Sequence, residues 1–405
     1  MKFARRTDWE LTDNPLSLAL KQRREQGLPV FDLTESNPTR AGIEYPPDLF
    51  LGAFNNKESL LYAPEPAGLL KARQAVAAYL NAAQARRQAG ANTSPLAGTT
   101  QPDAIMPGNL TLTASTSEAY SFLFRLLADP GDRILLPAPS YPLFSYLADI
   151  NDVEPVYYNL RFDGKRWAMD LDSIEQAARL GKVKAVVLVS PNNPTGSSIS
   201  LDELKQLNAL CTRYAMAIIS DEVFSDYLFA GAREQYVSLA ANSPVLSFAL
   251  GGLSKALALP QMKLGWIAAN GPADILSTAL ARLEVITDTF LSVNTPVQHA
   301  CIEWLPQAAL IQDQIMARIT ANLEALRAWA PRSGFELYPV AGGWYAVLKA
   351  DLPLPEDEWA VELLHTTGVY VHPGFYFDFA SEGYVVLSLL PLPETFRLGL
   401  NALIK

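Results

Sequence analysis

The residues best suited to chemistry lie at the ends of apolar runs. Val245-Leu246-Ser247-Phe248-Ala249-Leu250 enters Gly251-Gly252-Leu253-Ser254-Lys255, and an apolar strand pattern restarts through Gln261-Met262-Lys263-Leu264-Gly265-Trp266. A lysine on a short turn between two buried strands sits in a poorly hydrated pocket. Desolvation disfavours its ammonium form and lowers its pKa, which is what a Schiff-base lysine needs. Taken alone, the stretch also reads as a hairpin turn with a surface lysine, because lysines are mostly exposed.

Other stations share this placement. The run Ala217-Ile218-Ile219-Ser220 stops at Asp221-Glu222, and Ala185-Val186-Val187-Leu188-Val189 runs into Pro191-Asn192-Asn193-Pro194-Thr195-Gly196. Leu110-Thr111-Leu112-Thr113 precedes a helix opened by Ser115-Thr116-Ser117-Glu118. This set suits a phosphorylated pyridine aldehyde. Asp221 would keep the pyridine nitrogen protonated, so that the ring draws electrons from a substrate carbon. Asn193 would donate to the ring's phenolic oxygen. Ser115, Thr116 and Ser117 offer hydroxyls and N–H groups at a helix N-terminus, a natural phosphate site. Lys263 would neutralise that phosphate, and Tyr141 would stack on the ring. Each residue also has an ordinary reading: Asp221 as a cap, Asn-Pro-Thr-Gly as a turn, Ser115 with Glu118 as a capping box, Tyr141 as a rim aromatic. Those readings leave the convergence on strand ends unexplained.

The elements between the stations predict the frame. Strands without polar alternation, joined by helices, imply a mostly parallel, mixed sheet of seven strands covered on both faces. Ligands bind such sheets at the carboxyl ends of strands. Helices are expected over residues 14–28, through about Ala85, from Ser115 to Ala128, from Leu171 to Leu180 and from Ser200 to Tyr214. Residues 84–107, rich in Ala, Gln, Ser, Thr, Pro and Gly, read as a mobile surface excursion. After Pro296 a long helical region (297–330), short strands and a final helix predict a smaller α+β domain that the N-terminal segment joins. The expected division is 1–48 (N-terminal arm and small-domain segment), 49–295 (large α/β domain) and 296–405 (small domain).

Composition narrows the function. Hydrophobic residues make up 49% of the 405 and charged residues 18%, enough for a large core. A net charge of −10 argues against a nucleic-acid partner. Cys211 and Cys301 have neither disulfide-framework nor metal spacing, and three separated histidines make a metal site unexpected. No apolar run is long enough to span a membrane, and the charged N-terminus lacks a signal-peptide core, so a cytoplasmic protein is expected.

Ser190-Pro191-Asn192-Asn193-Pro194-Thr195-Gly196, then Ser220-Asp221-Glu222-Val223-Phe224, then Leu253-Ser254-Lys255 with Lys263 eight residues on, resembles the class I/II aminotransferases of the fold-type I pyridoxal-phosphate enzymes. The resemblance implies a pyridoxal 5′-phosphate cofactor, transamination between an amino donor and a 2-oxo acid in a ping-pong cycle, and Lys255 as the Schiff-base lysine. It also implies Asp221 as the pyridinium partner, Asn193 as the O3′ ligand and Tyr141 as the stacking aromatic, with Ser115, Thr116, Ser254 and Lys263 as a phosphate cup. Tyr62 matches a tyrosine that reaches the phosphate of the neighbouring subunit, which implies a homodimer with shared sites.

Four departures stand out. Lys263 replaces an arginine, keeping the charge but losing the bidentate fork. Gly252 stands where a phosphate-binding Ser or Thr is common. Phe224 replaces a tyrosine that hydrogen-bonds O3′, which predicts a raised pKa for the lysine–cofactor aldimine. In Val385-Val386-Leu387-Ser388, Val386 occupies the place of the arginine that clamps the substrate carboxylate. Either another cation substitutes, with Arg40 in the Glu35-Ser36-Asn37-Pro38-Thr39-Arg40 loop the candidate and Asn37 beside it, or the substrate is not a simple α-amino acid. A lyase or decarboxylase on the same fold, or a non-catalytic cofactor-binding protein, is the alternative.

Overall fold

The buried strands assemble into one eight-stranded sheet in a computed structural model that describes residues 2–90, 104–233, 235–241, 243–291 and 293–404. Across the sheet the order is Leu110–Thr113, Gly265–Asn270, Ser247–Gly252, Ala217–Asp221, Val183–Val189, Arg133–Ala138, Glu154–Phe162 and Trp167–Met169. The five central strands from Ser247–Gly252 to Glu154–Phe162 are parallel. Gly265–Asn270 runs antiparallel to both of its neighbours.

Strand alternation divides the core. Ile134, Leu136, Val187, Ile219 and Phe248 pack under the helices Thr116–Leu127, Phe144–Ile150 and Ala273–Phe290. Leu135, Val186, Leu188 and Ile218 pack on the opposite face with the helices Leu171–Arg179 and Leu201–Tyr214. With both faces covered, these strands carry no polar alternation, as the sequence predicts.

A second sheet is antiparallel, in the order Glu336–Leu337, Tyr345–Lys349, Tyr384–Ser388, His372–Pro373. The helices Ala309–Trp329, Glu356–Thr367 and Pro393–Leu403 belong to the same part of the chain. The N-terminal segment joins it: Phe31–Asp32 pairs in parallel with Val369–Tyr370. Ser388 then donates its backbone N–H to Leu33 and its hydroxyl to the Glu35 carbonyl, both at 2.7 Å.

Several elements differ from expectation. The large sheet has eight strands rather than seven. The extra one, Trp167–Met169, returns antiparallel to Glu154–Phe162 after a turn in which Asp163 accepts from the N–H groups of Lys165 and Arg166; three residues are too few to establish a period. The alanine-rich helix continues to Gly90, so the expected excursion begins later, and its central residues 91–103 lie outside the described ones. The helical region 297–330 is two helices, Thr295–Trp304 and Ala309–Trp329, separated by a 3-10 turn containing Pro306, which has no N–H to continue the ladder. Ala273–Phe290 is a helix that no expectation covered.

Candidate active site

Lys255 lies in a short helix, Leu253–Ala256, between the antiparallel strands Ser247–Gly252 and Gly265–Asn270. Leu253 donates its N–H to the Leu264 carbonyl at 2.9 Å, and Tyr227 donates its hydroxyl to the Lys255 carbonyl at 2.6 Å, so the backbone is held from two sides. The Nζ atom stands 4.5 Å from the ring centre of Trp344 and 5.3 Å from that of Phe224. Burial pushes the Lys255 pKa down to about 8, and the Asp221 carboxylate limits the fall.

Asp221 ends its strand beside Leu250 on one side and Val189 on the other. Its Oδ1 accepts from the Val223 N–H at 3.2 Å and its Oδ2 from the Tyr120 hydroxyl at 3.1 Å. Burial raises its pKa to about 6, opposed by those two donors and by Lys255. Glu222 is engaged elsewhere: Ser220 and Ser238 hydroxyls and the Leu239 N–H occupy its carboxylate. Of this acidic pair, Asp221 is the residue coupled to Lys255.

The Asn-Pro-Thr-Gly loop divides turn chemistry from site chemistry. Asn192 makes the turn, its Oδ1 accepting from the N–H and the hydroxyl of Thr195. Among the described residues the buried Oδ1 of Asn193 accepts no hydrogen bond; the atom that would donate to a phenolic oxygen is the Nδ2 of the same amide. The peptide bonds Ala138-Pro139, Ser190-Pro191 and Asn193-Pro194 are cis. Gly196 has φ +66°, and a Cβ there would lie 2.7 Å from the Gly342 carbonyl oxygen, so only glycine fits where the loop meets residues 341–342.

The Thr116–Leu127 helix begins at the same sheet edge. Ser115 caps it, its Oγ accepting from the Glu118 N–H at 3.1 Å, while Glu118 accepts from the Ala114 N–H at 2.6 Å. The N–H groups of Thr116 and Ser117 precede any intrahelical acceptor, and among the described residues neither they nor the Ser115 hydroxyl hydrogen is given an acceptor. Gly251 and Gly252 let Trp266 and Leu264 approach closely. A Cβ on Gly251 would fall 2.5 Å from Trp266 Nε1, and one on Gly252 3.1 Å from the Leu264 oxygen. A side chain with a hydroxyl at Gly252 would need the Leu264–Gly265 backbone to give by a few tenths of an ångström. Ser254 is part-buried, and Lys263 is exposed, in a left-handed conformation just before the Gly265–Asn270 strand.

The family model for aminotransferase class I and II matches residues 30–402. The chain belongs to that family. It is 28% identical over 276 residues to the glutamate-pyruvate aminotransferase AlaA of Haemophilus influenzae, covering 68% of this chain and 63% of that protein. The chain thus spans under two-thirds of that relative's length. An S-alkyl-thiohydroximate lyase of Arabidopsis thaliana is 34% identical over 215 residues, 52% of this chain and 42% of that one. Among solved structures, an alanine aminotransferase from Pyrococcus furiosus superposes with a TM-score of 0.84 at 23% identity, covering 99% and 98% of the two chains. That superposition supports the fold-type I architecture.

Within this family member the residues expected on the substrate side lie among aromatic rings. Tyr141, 37% exposed, meets Phe144 edge to face at 5.9 Å. Phe224 is buried against Trp344 and Tyr345, and Ser36 lies near the Tyr345 phenol. Val386 is fully buried in an apolar cluster with Trp167, Tyr338, Val347 and Phe377. Asn37 spends its Oδ1 on the N–H and hydroxyl of Thr39, and Arg40 is exposed, its N–H donating to the Asn37 carbonyl. Tyr62 is 84% exposed, next to the exposed Leu60 and Leu61. Sequence reasoning missed two neighbours of the site, Tyr120 and Trp344. Among the described residues no group of three or more His, Cys, Asp or Glu can hold a metal, and no helix is long and apolar enough to cross a membrane.

Proposed function

We propose that the protein is a pyridoxal-phosphate-dependent aminotransferase that takes the amino group of a donor and passes it to a 2-oxo acid in two half-reactions. The carrying observation is the partly desolvated Lys255 amine set beside Asp221 at strand ends that also present the Asn193 amide and the Thr116 helix start. These groups fit the cofactor's own: an aldehyde, a ring nitrogen, a phenolic oxygen and a phosphate. Bound there, pyridoxal phosphate would supply a carbonyl for the donor's amine and a ring that withdraws electrons from its α-carbon. The chain's residues do the rest. Lys255 Nζ, whose lowered pKa leaves an appreciable neutral fraction near pH 8, would remove the α-proton and return it two atoms away, to the carbon beyond the nitrogen. Asp221 holds positive charge at the ring nitrogen, and the N–H groups of Thr116 and Ser117, with the Ser115 and Ser254 hydroxyls and Lys263, take the phosphate. Asn193 orients the ring against Tyr141. Exposed Leu60, Leu61 and Tyr62 suit a second copy of the chain, with Tyr62 completing its partner's site.

The test is to add amino acids and amines singly to the protein loaded with pyridoxal phosphate. Loss of the yellow absorbance, with pyridoxamine phosphate and an oxo product formed in equal amounts, is expected; no spectral change with any donor would overturn the reading. A second reading is a lyase on the same scaffold. It is favoured by Val386, which leaves the carboxylate anchor apolar, and by the similarity to the thiohydroximate lyase. Its signature is pyruvate and ammonia released from one substrate.

A further inference from the structure

Tyr120 has no role in the chemistry assigned so far, yet its hydroxyl is spent on Asp221. It lies one turn into the Thr116–Leu127 helix, 2% exposed, with its ring against Phe124 at 5.9 Å and Phe144 at 5.2 Å. A phenylalanine would satisfy that packing equally well. The hydroxyl adds one thing: a 3.1 Å hydrogen bond to Asp221 Oδ2. Asp221 Oδ1 is already held by the Val223 N–H, so the two bonds fix both oxygens and set the plane of the carboxylate. Each oxygen keeps a second lone pair for a further donor. Phe144, which packs on Tyr120, also carries the edge of Tyr141, so one aromatic ladder joins the acid to the stacking side chain.

We infer that Tyr120 is a positioning residue: its hydroxyl holds Asp221 oriented and ionised toward the ring nitrogen of the cofactor, from the same helix whose N-terminus receives the phosphate. This rests on the cofactor reading above. A phenol donating to a buried carboxylate is a charge-assisted bond, stronger than one between neutral groups. Losing it leaves Asp221 freer to rotate and to take up a proton, and a protonated acid no longer stabilises a pyridinium. The helix then serves both ends of one ligand, through its backbone at Thr116 and Ser117 and through a side chain at Tyr120.

The test is binding rather than turnover. Full-length protein freed of cofactor is titrated with pyridoxamine 5′-phosphate and with its 1-deaza analogue, in which C–H replaces the ring nitrogen. In Tyr120→Phe, affinity for pyridoxamine phosphate should fall about tenfold, as expected for a lost bond to a charged group, while affinity for the deaza analogue stays unchanged. Equal weakening of both would mean that Tyr120 only supports the fold, and no weakening of either would mean that it does nothing for Asp221; both results overturn the inference. If the unaltered protein binds the two ligands equally, Asp221 does not read the nitrogen and the inference falls while the cofactor reading stands. If it binds neither, the cofactor reading itself falls. Should Tyr120→Phe not be recovered folded, Tyr120→Met, which fills the space without a donor, is put through the same pair of titrations.

Discussion

Lys255 offers the sharpest quantitative test. Its ordinary pKa is 10.5, and burial lowers it to about 8. At pH 7 that raises the neutral, nucleophilic fraction of the side chain by about 300-fold. The Asp221 carboxylate opposes the shift, so Asp221→Asn removes the opposing charge and must move the midpoint further down, below 8. The faces of Trp344 and Phe224 act in the same sense as Asp221, because an aromatic quadrupole favours the ammonium form. Trp344→Leu should therefore also lower the midpoint. The assay is competitive labelling of the cofactor-free protein with trace acetic anhydride between pH 5 and pH 11, read by mass spectrometry of the Lys255 peptide. A midpoint above 10 in the unaltered protein, or an upward move in Asp221→Asn, would refute the reasoning. The linkage to stability has a definite sign. Between about pH 8 and 10.5 the unfolded chain keeps a proton that native Lys255 has lost, so this group alone makes stability rise with pH across that window.

Phe224→Tyr places a phenol beside Lys255, and the absorbance-monitored proton-loss midpoint of the pyridoxal-phosphate-loaded protein should move down; a midpoint that stays or rises counts against the role given to this position. Val386→Arg puts a charge into the apolar cluster of Trp167, Tyr338 and Phe377 and should cost about 3–5 kcal/mol, measured by urea unfolding; an unchanged midpoint would mean that the side chain escapes into the cleft. If Arg40 supplies the missing cation, Arg40→Ala raises KM for amino-acid donors with little change in kcat, and unchanged steady-state constants dismiss it. Ser115→Ala removes a helix cap and should destabilise the fold by about 1 kcal/mol while weakening phosphate-bearing ligands; equal affinity for pyridoxamine phosphate before and after would separate the cap from the ligand role.

Placement was legible in the sequence where burial and turn chemistry both mark strand ends. Lys255, Asp221 and Asn193 each follow a continuous apolar run, and the run's end locates the residue whatever its partners are. Partners were less legible. Tyr120 sits on the apolar stripe of a helix, where a tyrosine is indistinguishable from core until the opposing strand is placed. Trp344 likewise reads as interior, and its position beneath Lys255 depends on the second sheet. That Asn192 makes the turn was not legible, because it is set by which of the two asparagines Thr195 engages, a matter of loop geometry rather than residue type. Trp167–Met169 was missed because a three-residue strand has no period, and the break at Pro306 because helical apolar spacing resumes on both sides of it.

The pairing of Phe31–Asp32 with Val369–Tyr370, and of Leu33 and Glu35 with Ser388, also bears on how the molecule is made. On the ribosome the first of these segments emerges early and its partners late. At ordinary elongation speeds the wait is about 20–70 s. Throughout it the backbone groups of residues 31–35 have no sheet to join, while the large sheet, whose strands lie between Leu110 and Asn270, can already close. The Glu35-Ser36 loop beside Tyr345 is thus among the last parts to be put in place, and a nascent chain can hold the backbone at Lys255 in a closed large sheet before Trp344 and that loop cover its side chain.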